Sequence, residues 1–355
     1  MLDGGTPQVL LLVGPGSIGK TTLAMDLAAG LLCAAKEGVP RPCRACRACH
    51  LVAGGTHQDL HRLAPEGSGR QVRIGDPNDP DPGTVRHLIH EMARLPVEGR
   101  HRVAVIESAH RMNEDAQNAL LKTLEEPPAG ATLILCADEP ERLLPTVRSR
   151  AATLRLGPLG IRAIEGLLGE HGIDPPRAAR LARLAGGRPG VALAYAAAPE
   201  AVDAREEISR TLLDLGSENR ARRLVIGREL LARAADLAGL RAEPDSAAPP
   251  PPPPEEAEVA KSGRLSPAER RLAARALLET WVAVARDVAV VAAGGPGRSV
   301  NLALVDDLEA AAARIPAGAA PAFLVRLARA AQLLEANANP ELIIDVLVLA
   351  WPRAA

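Results

Sequence analysis

Aromatic side chains are nearly absent from this chain. Of 355 residues, only Tyr195, Trp281, Phe323 and Trp351 carry a Phe, Tyr or Trp ring. That excludes a stacking platform for single-stranded nucleic acid, which needs a row of exposed rings. An excess of charge is also missing: 42 Lys and Arg stand against 43 Asp and Glu, for a net charge of -1. A chain that coats nucleic acid through charge alone is therefore excluded. No apolar run approaches the ~20 residues that span a bilayer, so no membrane partner is expected. The start has neither a basic n-region nor a small-residue cleavage site, so no signal peptide is expected. Cysteines are few, five in all, and four of them cluster. Such a cluster suits a metal site in a reducing compartment better than a disulfide framework. These absences predict a soluble, cytoplasmic protein. What is present, 47% apolar residues over this length, suffices for two or three packed domains.

The first part of the chain alternates strand and helix signals. Val9 to Val13 is a short apolar run that enters a glycine-rich turn, and Leu23, Ala24, Leu27, Ala28 and Leu31 then recur at helical spacing. Val103 to Ile106 is a second run, followed by a helical pattern through Ala116, Ala119, Leu120, Thr123 and Leu124. Asn113 is placed to cap that helix and Pro127-Pro128 to end it. Thr132 to Ala137 reads as a third buried strand. Strands alternating with helices predict a parallel sheet with right-handed crossovers. From about Ile161 onward only helical patterns occur, the longest from Ala268 to Ala293, with three shorter ones reaching Trp351. The unbroken run Pro249 to Pro254 cannot be helical and predicts an extended, solvated linker.

Two motifs carry chemistry. Gly14-Pro15-Gly16-Ser17-Ile18-Gly19-Lys20-Thr21 fits G-x-x-x-x-G-K-[ST], between a predicted strand and a predicted helix. Glycines at Gly14, Gly16 and Gly19 let backbone N–H groups wrap phosphates, Lys20 reaches the β- and γ-phosphates, and Thr21 can ligate Mg²⁺, with Thr22 beside it. ATP with Mg²⁺ is the implied ligand. Ser17 must take a backbone geometry that glycine reaches more easily. The second motif is Cys33 with Cys43-x-x-Cys46-x-x-Cys49; four thiolates on a short excursion suit tetrahedral, structural Zn²⁺. Cys136 is expected in the core of a strand.

The end of the second strand is equally informative. A hydrolase of this type needs an acidic residue there to hold Mg²⁺ and a carboxylate to polarise the attacking water. The chain offers Ile106-Glu107-Ser108-Ala109-His110. Glu107 can stand in as a metal-side carboxylate, whereas a serine hydroxyl is no general base at neutral pH. His110, on the same face as Ser108 if this segment is strand-like, is the one candidate replacement. The implication is a phosphate-binding core whose hydrolytic apparatus has been removed.

The run Asn118-Ala119-Leu120-Leu121-Lys122-Thr123-Leu124-Glu125-Glu126-Pro127-Pro128, with Glu139-Pro140-Glu141-Arg142-Leu143-Leu144 and Ser149-Arg150 after it, closely resembles bacterial clamp-loader subunits of DNA polymerase III. The cysteine knuckle is similar to the zinc module of the same family. The resemblance implies an α/β P-loop AAA+ domain over 1–158 with a parallel sheet and a zinc module at 33–49. After it would come a small helical lid over 159–200 and an all-α collar over 201–355. The collar would carry a disordered Pro-rich insertion at about 242–264. It also implies partners: tau/gamma and delta subunits in a hetero-pentamer, the sliding clamp, and primed DNA reached through the complex. Motor members of the family carry Asp-Glu where this chain has Glu107-Ser108. The ending Asn337-Ala338-Asn339-Pro340, followed by an apolar helix, is also similar to the stator rather than the motor branch.

By the same resemblance, Ser149-Arg150 matches the family's Ser-Arg-Cys motif, with Ala151 in place of Cys. Arg150 would be an arginine finger that stabilises charge on a neighbouring subunit's ATP, while this chain hydrolyses little or none of its own. Arg188, in Gly186-Gly187-Arg188-Pro189-Gly190, falls where the lid's sensor arginine would be, although a helix-terminal turn explains the glycines equally. Only eight residues precede Val9, where the family has a helix and turn that help to hold adenine. Two rivals are a tau/gamma-like motor that uses Glu107 and Thr21, and an unrelated nucleotide kinase with a zinc lid.

Overall fold

The computed structural model describes residues 7–36, 38–65, 71–78, 81–98, 101–240 and 265–353. The Pro-rich insertion expected at about 242–264 lies outside them. The chain divides into two compact units, Met1–Pro158 and Leu159–Ala355.

The first unit is built on five parallel strands: β1 (Val9–Val13), β2 (Leu60–Leu63), β3 (Arg102–Ile106), β4 (Ala131–Ala137) and β5 (Ala152–Arg155). Their order across the sheet is β2-β3-β4-β1-β5. Side chains alternate between faces with a period of two, and both faces are covered, so the three inner strands read as nearly continuous apolar runs. Leu11, Val13, Ala104, Ile106, Leu133, Leu135 and Ala137 enter one core. Leu12, Val103, Val105, Ile134 and Cys136 enter the other, against helix α1 (Lys20–Leu32) through Ala24, Ala28 and Leu32 and against α2 (Arg47–Ala53) through Val52. The first face is covered by α3 (Val85–Met92) and α4 (Glu114–Glu125), which contribute Leu88, Met92, Ala116, Leu120 and Leu124. Asn113 caps α4 as expected, its side chain accepting the Ala116 N–H at 2.9 Å.

Register decides where the chemistry sits. Val13 pairs with Ala137 on one side and Arg155 on the other. The strand ends therefore line up, and the segments after β1, β3 and β4 emerge along one edge, where ligands bind in open parallel sheets. Gln117, 3% exposed, stitches α4 to that edge. Its amide donates to the Met112 and Arg142 carbonyls, and its oxygen accepts the Leu144 N–H at 2.7 Å. A short helix α5 (Pro145–Arg148) precedes β5.

The second unit is helical throughout among the described residues. Its helices are α6 (Ile161–Glu170), α7 (Pro175–Leu184), α8 (Pro189–Ala197), α9 (Pro199–Asp214), α10 (Arg220–Leu240), α11 (Pro267–Ala292), α12 (Val305–Arg314), α13 (Ala319–Glu335) and α14 (Pro340–Ala350). One buried cluster runs through them from Ile164 to Trp351. Three of the four aromatic rings meet inside it. The centroid separations are 5.3 Å for Trp281–Phe323, 5.8 Å for Trp281–Trp351 and 4.9 Å for the edge-on pair Phe323–Trp351. A chain so poor in rings has thus concentrated them where large rigid surfaces fill a multi-helix junction. No single helix among the described residues is long and apolar enough to cross a membrane.

Candidate functional site

The loop between β1 and α1 has the form its sequence requires. Gly19 caps α1 with φ 96, and Ser17 sits at φ 59, the left-handed geometry that glycine reaches more easily. A Cβ on Gly14 would run into the Leu156 carbonyl, so only glycine fits where the loop passes β5. Lys20 opens α1 and is 6% exposed. Its ammonium donates to the Gly14 carbonyl at 2.9 Å and the Pro15 carbonyl at 2.7 Å, and pairs with Asp138 Oδ1 at 2.8 Å. Thr21 is half-buried and Thr22 exposed in the first turn of α1. Beneath them Cys136 is 1% exposed; burial pushes its thiol up to about 12, and Thr21 hydrogen-bonds to it. It is a core residue, as expected, but its face lies directly under the loop.

At the end of β3 the segment is not strand-like, which corrects the expected geometry of His110. Ser108 turns left-handed at φ 50 and Ala109–Arg111 form a single 3₁₀ turn. That turn buries His110, 3% exposed, and presents its Nδ1 to the Asp138 N–H at 3.2 Å. Burial lowers its pKa, and its Nδ1 lone pair is engaged with the backbone, so it orients β4's end instead of activating water. Glu107 is also engaged: Arg62, from β2, donates to its Oε1 at 2.8 and 3.1 Å. Nothing in the spacing marks Arg62 and Asp138 as site residues, because both act through pairings that only the sheet order creates.

Arg150 follows α5. Its guanidinium reaches back to Glu125 Oε1 at 2.5 Å and to the Thr146 carbonyl at 2.9 Å. Two of the segments that carry the clamp-loader resemblance, those ending in Pro128 and in Arg150, are thus joined by one ion pair. Arg188 belongs to the second unit, at the N-terminus of α8, and pairs with Glu279 of α11 at 3.3 Å.

The cysteine knuckle spans the connection from α1 to α2. The sulfurs of Cys33, Cys43, Cys46 and Cys49 all lie within 4.8 Å of one another. Cys33–Cys46 and Cys43–Cys49 stand at 4.0 Å. A tetrahedron of four sulfurs around one ion at about 2.3 Å has edges of about 3.8 Å, so the set fits a metal with little movement. Cys46 also caps α2, accepting the Cys49 N–H at 3.4 Å, and that bond holds its thiol down to about 6. The Cys43 N–H donates to Cys33 Sγ at 3.5 Å. Backbone N–H groups aimed at sulfur favour thiolate, the form that binds metal.

A parallel sheet with a glycine-rich loop after an inner strand, a helix-opening lysine and a candidate acid, Glu107, at the end of β3 define a P-loop domain. Residues 3–160 match the family described as DNA polymerase III, delta subunit. The delta′ subunit of DNA polymerase III from Pseudomonas aeruginosa is 40% identical over 150 residues, covering 41% of this chain and 43% of the relative. That of Escherichia coli is 36% identical over 191 residues, 54% of each. The tau subunit of Escherichia coli is 33% identical over 184 residues, 50% of this chain and 27% of the relative. The chain's match spans about half the length of the delta′ relatives.

Proposed function

We propose that this chain is a delta′-type clamp-loader subunit: a stator that completes a neighbour's ATPase site and itself hydrolyses ATP slowly or not at all. The observation that carries the reading is the end of β3. A well-formed phosphate loop faces a strand end where Glu107 is held by Arg62, Ser108 is no base, and His110 is turned into the backbone of β4. Such a site can hold phosphate without activating water. The tau-like motor alternative needs a free carboxylate there, and the described residues offer none.

Within this reading the first unit is the AAA+ domain. Residues 159–200 act as the lid and 201–355 as the collar through which tau/gamma and delta subunits assemble. The complex as a whole acts on the sliding clamp and primed DNA, in the cytoplasm. Cys33, Cys43, Cys46 and Cys49 would hold one structural Zn²⁺, whose role is to close the knuckle. Gly14, Gly16, Gly19, Lys20, Thr21 and Thr22 would hold ATP phosphates with Mg²⁺, with Glu107 on the metal side and Arg188 as the lid's sensor. Arg150 would leave Glu125 and enter a neighbour's site. The test is reconstitution with tau/gamma and delta subunits. A stable complex with stimulated ATPase, beside negligible turnover by the isolated chain, is the expected result. Turnover by the isolated chain at the level of a motor subunit, or failure to join the complex, would refute it.

A further inference from the structure

Lys20 has three N–H donors, and all three are spoken for. Two go to the carbonyls of Gly14 and Pro15, and the third faces Asp138 Oδ1 at 2.8 Å. A phosphate entering the loop must therefore displace a partner. The carbonyls belong to the loop backbone, which the Gly14 N–H ties to the Ala137 carbonyl at 3.3 Å, so moving them means moving the chain. Asp138 is a side chain with 30% of its surface exposed, so it is the partner able to leave.

Its position is over the cradle, not beside it. A Cβ built on Gly16 would lie 3.3 Å from Asp138 Oδ2, so one carboxylate oxygen faces the lysine and the other the middle glycine. The backbone beneath is pinned. Asp138 N–H donates to His110 Nδ1 at 3.2 Å, and Gly14 N–H donates to the Ala137 carbonyl at 3.3 Å. The loop and the end of β4 are therefore one piece, and only the Asp138 side chain is left to move.

We propose that Asp138 is a built-in counter-anion of the phosphate loop, whose carboxylate takes the place of a bound phosphate group and lowers the loop's affinity for phosphate-bearing ligands. The inference rests on reading the loop as phosphate-binding, and adds the residue that regulates it. An anion already seated on the lysine weakens a phosphate twice, by occupying its donor and by repelling its charge. Apparent affinity is then reduced by the fraction of molecules whose lysine is free. The same contact gives the empty loop a closed, satisfied state that needs no ligand.

The test uses pyrophosphate as probe and the full chain, with binding followed by calorimetry. Asp138→Asn keeps the shape and a neutral acceptor for Lys20 but removes the charge. It should bind pyrophosphate about tenfold or more tightly than the wild type, the worth of one charge-assisted hydrogen bond. Lys20→Ala should weaken binding and erase the difference, so that Lys20→Ala and the double variant bind alike. Without ligand, Asp138→Asn should melt below the wild type, and pyrophosphate should raise its melting temperature by more. Asp138→Ser serves as second variant should the asparagine fail to fold. Binding by the charge-removed variants no tighter than wild type, or a gain that survives Lys20→Ala, overturns the proposal. So does absence of binding in every variant. Assembly with tau/gamma and delta subunits, measured on the same proteins, reports separately on the stator reading.

Discussion

The cysteine knuckle yields a prediction that separates local from global stability. Cys46→Ser removes one sulfur of four but leaves an oxygen able to cap α2, so the helix start keeps an acceptor for the Cys49 N–H. What is lost is metal affinity. A structural zinc site supplies about 10–16 kcal/mol at neutral pH, so one ligand in four accounts for roughly 3 kcal/mol, a loss of more than about 100-fold. The damage should stay local. Helix α1 is held to the sheet by Ala24, Ala28 and Leu32 against Leu12, Val103, Val105 and Ile134, a cluster that includes none of the four knuckle cysteines. Val52 anchors the far end of α2 in the same core. The sheet therefore keeps its packing when the knuckle opens.

The assay is metal content by elemental analysis beside amide hydrogen exchange. The wild type should carry about one zinc per chain, and Cys46→Ser far less after dialysis against a mild chelator. The amides of Cys43, Cys49 and His50, which donate to sulfur or close the first turn of α2, should lose protection. Those of Leu11 and Leu133, inside the sheet, should keep theirs. Because the ligands bind as thiolates, protons compete for them and zinc should leave more readily as pH falls. The reasoning is refuted if wild-type protein holds no metal and the knuckle amides are protected regardless, or if losing the metal melts the whole first unit.

Single residues carry the other expectations. Arg150→Ala should leave folding, metal content and assembly unchanged while partly lowering the stimulated ATPase of the reconstituted complex, and Arg150→Lys should rescue poorly because it lacks the planar fork; unchanged rates in a normally assembled complex would remove the finger role. Arg223 is 1% exposed and donates to the carbonyls of Gly216, Glu218, Val348 and Trp351. Arg223→Lys should cost about 2 kcal/mol or more, read by urea unfolding through tryptophan fluorescence, since both tryptophans lie in the second unit; an unchanged midpoint would contradict it. His110 is held by burial below the ordinary imidazole value of 6.5, so the unfolded chain binds the extra proton first. Stability of the first unit should then fall as pH drops below about 6.5, and His110→Gln should flatten that slope in a hydrogen-exchange series; an equal slope in both proteins would show that other groups carry it.

Much of the sheet is legible because its inner strands are buried on both faces. Val9–Val13, Val103–Ile106 and Thr132–Ala137 stand out as apolar runs, each within a residue of the strand observed. Leu60–Leu63 and Ala152–Arg155 do not, being four-residue edge strands that carry His61, Arg62 and Arg155 and, in the second case, are exposed at every position. The helix Val85–Met92 escapes notice as well: its apolar stripe, Val85, Leu88, Ile89 and Met92, spans only eight residues and lies between polar segments. The site divides in the same way. The loop and the knuckle are local in sequence, so spacing reveals them. Asp138, Arg62 and Glu125 matter only through partners far along the chain, and no spacing rule reaches them. His110 departs from its expected place because the segment after β3 coils into a 3₁₀ turn, which a strand-like alternation does not anticipate.

Those long-range partners share a pattern. Each charged group expected to handle nucleotide is already paired within its own unit: Lys20 with Asp138, Glu107 with Arg62, Arg150 with Glu125 and Arg188 with Glu279. The pairs differ in how hard they are to open. Lys20 is 6% exposed, so freeing it strips a nearly buried ammonium of its counter-ion unless an incoming anion replaces it at once. Arg150 and Glu125 are 33% and 48% exposed, and a pair of that kind is worth about 1 kcal/mol or less. Freeing Arg150 from Glu125 therefore costs little, whereas placing a phosphate on Lys20 would require a direct exchange of anions. Under the proposed function, Arg150 would be given up to a neighbour more readily than the chain's own loop would be filled. That asymmetry is what the proposed stator role requires, and it does not depend on which residues follow β3.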